Sequence, residues 1–145
     1  MALFFVLASA PQLSAQIREE EEEEPILVAE KDLNQLLVWF VDGKYEKVLY
    51  KAIRYTEDDE QKKHPMPYLY MAKAYLGIHN SDDADLREAY EVDKMKALKN
   101  ALKYAGKFVK KDKEQEYIFQ EQEYIEELRK ETIIAAETEM DNGKF

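Results

Sequence analysis

The phrase Asp42-Gly43-Lys44-Tyr45 returns at the end of the chain as Asp141-Asn142-Gly143-Lys144-Phe145. Each copy sits where an apolar helical stretch stops. A glycine just past a helix supplies the left-handed residue that closes it. Two uses of one closing phrase therefore constrain the chain to helix–turn–helix units, since each ends one helix and turns the chain toward the next. One such unit cannot bury both of its faces, so units of this kind need neighbours. Gly43 is followed by a second amphipathic stretch, whereas Gly143 stands two residues from the end. The expectation is a helical array cut off inside a repeat.

Composition supports helix over sheet. Only four Gly and four Pro occur among 145 residues, so breakers are scarce. Apolar residues make up 46% and charged residues 36%, enough for a core beneath a very polar surface. The net charge of −10 argues against nucleic acid as a partner, because phosphates would be repelled. The absence of Cys removes disulfides, thiol catalysis and Cys-based zinc sites.

Helical spacing predicts about five helices in an all-α fold. The first, capped by Asp32, carries Leu33, Leu36, Leu37 and Phe40, with Trp39 and Val41 widening its apolar face. The second runs from Lys44 to Tyr55 and aligns Tyr45, Val48, Leu49, Ala52 and Tyr55. Residues 56–65 read as a polar connection. The third starts near Pro67, a good first-turn residue, and carries Tyr68, Met71, Ala72, Tyr75 and Leu76. Residues 79–87 read as an inserted loop. The fourth is expected over Tyr90–Lys111, with Met95, Leu98, Leu102, Ala105 and Val109 buried. Ala97, Ala101, Tyr104 and Phe108 widen that stripe. The fifth is expected over Lys113–Met140, with Tyr117, Ile118, Tyr124, Ile125, Leu128, Ala135 and Ala136 inward.

Three stretches carry a family resemblance. Gly43-Lys44-Tyr45-Glu46-Lys47-Val48 resembles the turn of a tetratricopeptide repeat. Ala74-Tyr75, following Met71 and Ala72, resembles the middle of its first helix, and Ala101-Leu102-Lys103-Tyr104 its second helix. Phe145 would be the aromatic of a further turn. The resemblance covers residues 31–145 at a spacing of roughly 34 residues. His79-Asn80 stands where the second unit should have its turn glycine, the loop after it is too long, and no proline closes the units after Tyr55 or Phe108. The resemblance implies antiparallel helix pairs in a short right-handed solenoid. It also implies a protein–protein scaffold whose concave surface is lined by first helices; by rough alignment Leu37, Leu69 and Lys73 face a partner there.

The first 30 residues read differently. Residues 2–10 are uncharged and mostly apolar, followed by Pro11 and the small-residue site Leu13-Ser14-Ala15. That is the pattern of a secretory signal peptide cut after Ala15, although its basic leading region is missing. A nine-residue run is too short to span a bilayer, so no transmembrane segment is expected once residues 1–15 are removed. Residues 16–30 hold Arg18 and six consecutive glutamates, Glu19 to Glu24, which read as a solvated, disordered spacer. Export without cysteine implies a bacterial periplasm or cell envelope.

Chemistry finds few candidates. Beyond the leader, Ser81 is the only serine and His64 and His79 the only histidines. No His-Glu-x-x-His and no glycine-rich phosphate loop occurs. Asn80-Ser81-Asp82-Asp83-Ala84-Asp85 resembles a calcium loop loosely but lacks its glycine and its distal glutamate. No catalytic residue, cofactor or metal is expected. A lysine-rich fourth helix beside a glutamate-rich fifth implies mutual attraction, or else a lysine face offered to an acidic partner, lipid or glycan. The alternative to a scaffold is a helical module that binds a small ligand, glycan or lipid through Tyr and Lys; Tyr68, Tyr70 and Tyr75 are its stacking candidates.

Overall fold

Closing phrases of the kind found at Gly43 work through backbone geometry, and the geometry is present. The structure is a computed structural model that describes residues 30–143. Gly43 has φ +74°, its N–H reaches Phe40 O at 3.0 Å, and the next N–H, of Lys44, reaches Trp39 O at 2.8 Å. This pair of bonds is a Schellman cap. Gly143 repeats it in part, with φ +69° and its N–H 3.0 Å from Met140 O. The expected signal peptide (1–15) and most of the acidic spacer (16–29) lie outside the described residues, as does Phe145.

Helix occupies 76% of the described residues and no strand occurs among them, which makes the fold all-α. Six α-helices follow in order: α1 Glu30–Val41, α2 Tyr45–Glu57, α3 Met66–His79, α4 Ala84–Ala89, α5 Lys96–Lys111 and α6 Gln122–Asp141. Short 3-10 turns precede α3 and α5, at Gln61–Lys63 and Val92–Lys94.

The central element is α3. A helix that is apolar all round has no solvent side and belongs inside. Nine of its 14 residues are buried, including the unbroken run Pro67 to Ala72. One side, with Tyr70, Met71, Ala74 and Ile78, joins Leu36 of α1 and Val48, Leu49 and Ala52 of α2. The other, with Tyr68, Leu69, Ala72 and Leu76, joins Leu98, Ala101 and Phe108 of α5 and Tyr124 and Leu128 of α6. Pair contacts set the directions. Lys51 Nζ meets Asp32 at 2.9 Å, so α2 runs against α1. Tyr45 packs on Gly77, so α3 runs against α2. Lys111 lies over Tyr68 and Tyr104 stacks on Tyr75, so α5 runs against α3. Lys73 pairs with Glu121 and His79 with Glu131, so α6 runs along α3. Hence α1, α3 and α6 are parallel, with α2 and α5 antiparallel between them.

Four expectations need correction. Residues 84–89 are helical, because Asp83 caps them: its Oδ1 accepts the N–H of Asp85 and Leu86 at 3.0 and 3.1 Å. The fourth helix does not begin at Tyr90, because Glu91 and Met95 are left-handed (φ 49° and 62°) and the chain restarts at Lys96. Its buried face is also turned. Ala97, Leu98, Ala101, Ala105 and Phe108 point inward, while Leu102 and Val109 are exposed. The fifth helix does not begin at Lys113. Buried Asp112 accepts the N–H groups of Glu116, Tyr117 and Ile118 at 3.1, 3.0 and 2.8 Å and holds residues 113–121 in turns.

His64 caps α3 from outside. It is 4% exposed, and its Nδ1 accepts the N–H of Met66 at 3.1 Å. Burial holds its pKa below the ordinary imidazole value, against the nearby Glu116 charge; burial lowers His79 in the same way. The folded rings thus take up protons at lower pH than the unfolded chain, whose histidines do so near pH 6.5. Stability from these rings is therefore complete above about pH 6.5 and is lost as pH falls through the lower folded values. His64→Asn keeps an acceptor for Met66 and removes the titration. Thermal melts of this variant between pH 7 and 5 should fall less steeply than those of the parent. Parallel curves would show that His64 does not contribute.

Candidate functional site

Because α1, α3 and α6 are parallel and share α3 as floor, they leave a cleft of about 230 Å³ between the two outer helices. Phe40 stands on one wall, Tyr124 and Glu127 on the other, and Lys73 and Gly77 lie on the floor, with Tyr45 at the end. Gly77 makes the end wall possible. A Cβ there would meet two Tyr45 ring carbons at 2.5 Å, so the ring rests directly on the α3 backbone.

Lys73 organises the floor. Its Nζ lies 2.6 Å from Glu121 and 5.8, 5.9 and 5.6 Å from the ring centres of Phe40, Tyr70 and Tyr124. A cation among three rings and one carboxylate is well held, and it joins all three helices' sides of the cleft. Tyr124 is 8% exposed, and its hydroxyl is buried without a hydrogen-bond partner among the described residues. Burial, then Glu127 and Glu121, push its pKa far up, so it stays a neutral donor and acceptor. Among the described residues His79 Nδ1 is the other buried polar side-chain atom without a partner; its Nε2 lies 3.9 Å from Glu131.

The sequence-derived candidates separate. Leu37 is 45% exposed and neighbours Phe40 one turn on, with Val41 (74%) beyond it. Lys73 is on the cleft floor. Leu69 is 0% exposed, inside the cluster shared by α3, α5 and α6. Its side chain is part of the core, so it offers no surface to a partner. Of the stacking candidates, half-buried Tyr75 lines a cleft of about 680 Å³ with Trp39, Tyr50 and Tyr90, and Tyr68 lines another beside α5. Tyr68 and Tyr70 are buried, Tyr68 donating to Lys62 O at 2.8 Å. Tyr75 stacks on Tyr104 at 5.7 Å and meets Tyr90 edge-on at 6.2 Å. Ser81 Oγ accepts the N–H of Asp83 at 3.1 Å, and Asp83 is committed to capping α4.

Reasoning from spacing missed one feature. Tyr124 was legible as an inward aromatic, yet no pattern marks a hydroxyl left without a partner. Of the two roles read for the lysines of α5, attraction to the glutamate helix finds no support in the ion pairs, and exposure of the lysine face stays open. The expected attraction between the lysine and glutamate helices yields no α5–α6 ion pair among the described residues. Compared with known proteins, the chain matches no family model, no curated protein and no solved structure.

Proposed function

We propose that this chain is a non-enzymatic interaction scaffold of a bacterial cell envelope, presenting the concave side of α1, α3 and α6 to an extended or helical segment of a partner protein. The apolar surface of α1 beside the cleft carries this reading, because exposed apolar side chains next to a concavity gain by being covered. The exposed Leu37 and Val41 supply that apolar area for the partner segment. The order of parallel and antiparallel helices is the order that a tetratricopeptide array would have, which supports a right-handed solenoid. Export rests on the leader-like pattern of residues 2–15 alone.

The test uses the full chain, affinity-tagged and expressed in the periplasm of a Gram-negative host, with co-purifying proteins identified by mass spectrometry. Leu37→Ser with Val41→Ser should weaken the captured partner about tenfold, since both apolar side chains lose their burial on docking. Tyr124→Phe deletes only the orphan hydroxyl, which no partner can reach, and should leave the melting temperature unchanged or higher with capture unaltered. Equal capture by all three proteins, or a clean monomer that retains nothing, would refute the scaffold.

A further inference from the structure

The opposite end of α3 has a second concavity, of different chemistry. Tyr68 begins α3, and the last turn of α5 runs past it, so side chains from both ends enclose a cleft of about 550 Å³. Its lining is Tyr68, Lys63, Lys107, Lys110, Lys111 and Lys113. Five lysines thus line one hollow in a chain whose net charge is −10, with Lys107 Nζ resting 5.2 Å from the Tyr104 ring centre. None of the five forms an ion pair among the described residues. Two nearby acids are otherwise engaged. Asp112 accepts three loop N–H groups, and Asp59 pairs with Lys62 at 2.8 Å. Glu114 and Glu116 form no ion pair with the five lysines among the described residues.

The floor holds one ammonium in place. Lys111 Nζ sits 4.9 Å from the centre of the Tyr68 ring, and the Tyr68 hydroxyl is itself anchored on Lys62 O. Burial lowers the Lys111 pKa, and repulsion from Lys107, Lys62 and Lys113 lowers it further. Like charges gathered without counter-charge weaken the fold locally. An anion bound among them would remove that repulsion, and this gives the hollow a differential affinity for negative charge.

We infer that this cleft binds a small soluble molecule carrying two or more phosphate groups. Three features select that class. Every basic group is lysine, a compact point charge that binds phosphate oxygens without demanding a planar, bidentate partner. Five lysines around 550 Å³ exceed what one phosphate can contact, so the ligand has several. The site is concave, and a flat layer of lipid headgroups would reach only its rim. This inference is independent of the scaffold reading, since the two clefts lie at opposite ends of α3.

Isothermal calorimetry on the full chain at about 150 mM salt tests it, with inorganic tripolyphosphate, pyrophosphate and orthophosphate as probes. Affinity should rise at least tenfold from orthophosphate to tripolyphosphate and fall steeply with salt, as multiple charge contacts require. The combined change Lys107→Gln, Lys110→Gln and Lys111→Gln should weaken tripolyphosphate at least tenfold. A charge-matched control, Lys44→Gln, Lys99→Gln and Lys130→Gln, should change it less than twofold. Circular dichroism verifies folding of both, and the single Lys111→Gln variant gives a second reading if the triple variant unfolds. Equal losses in both triple variants would reduce the effect to bulk charge and overturn the site. So would tighter binding of hexaglutamate than of tripolyphosphate, or binding to phosphatidylserine vesicles without binding to tripolyphosphate.

Discussion

Phe108→Ala should lower the unfolding free energy by about 3–5 kcal/mol, the range for truncating a fully buried aromatic whose surroundings cannot collapse. Phe108 is 0% exposed and lies in the cluster that joins α3 to α5 and α6. The loss should be regional. The cluster of α1, α2 and one side of α3 contains no Phe108 contact, so its amides should keep their exchange protection while those of α5 and α6 lose it. Urea melts and amide hydrogen exchange measure both effects. A uniform loss of protection across α1–α6 would show one cooperative unit, and a loss under about 1 kcal/mol would mean that the site relaxes.

Asp112→Ala should be nearly as damaging without touching apolar packing. The carboxylate takes three backbone N–H groups at 2.8–3.1 Å while 5% exposed, and no other group replaces it. Bonds to a charged acceptor contribute about 1.5–3 kcal/mol each, and water reaching the freed loop offsets part of the loss, so about 3 kcal/mol is expected. Asp112→Asn retains one acceptor oxygen and should fall between. Exchange at the amides of Glu116, Tyr117 and Ile118 should rise well above that of α3. Unchanged exchange there would show that the loop is held by something other than Asp112.

These two residues also mark where reading the sequence succeeds and where it stops. Phe108 repeats at helical spacing with Ala97, Ala101 and Tyr104, and that spacing is visible in one dimension. Asp112 follows three lysines in five residues and reads as solvated, because nothing local reveals that three amides will converge on it. The helices that formed as read, α1, α2 and α3, have strong local signals: Gly43 in a Schellman cap and Pro67 in a first turn. The boundaries that moved lie at Met95 and Asp112, where long-range packing imposes left-handed residues and a buried carboxylate on chain that would otherwise continue as helix. Leu69 fails for a related reason. Spacing places it on α3, but only the discovery that α3 is covered on every side shows that no surface is left for it. Lys73 was placed by rough alignment and does line the cleft, yet its cage of Phe40, Tyr70 and Tyr124 comes from three helices and has no linear signature.

The burial of α3 also has a kinetic consequence. Its most extensive partners are α2, just before it, and α5, shortly after, so the loops that must close to form the core are short. Short closures cost little chain entropy and make for rapid folding. Assembly can therefore start at the centre and spread outward, without first bringing distant parts of the chain together. The walls of the concave cleft, α1 and α6, belong to opposite flanks and attach to α3 in separate events. The width of the cleft is then the sum of two independent dockings, and either wall can loosen without unseating the other.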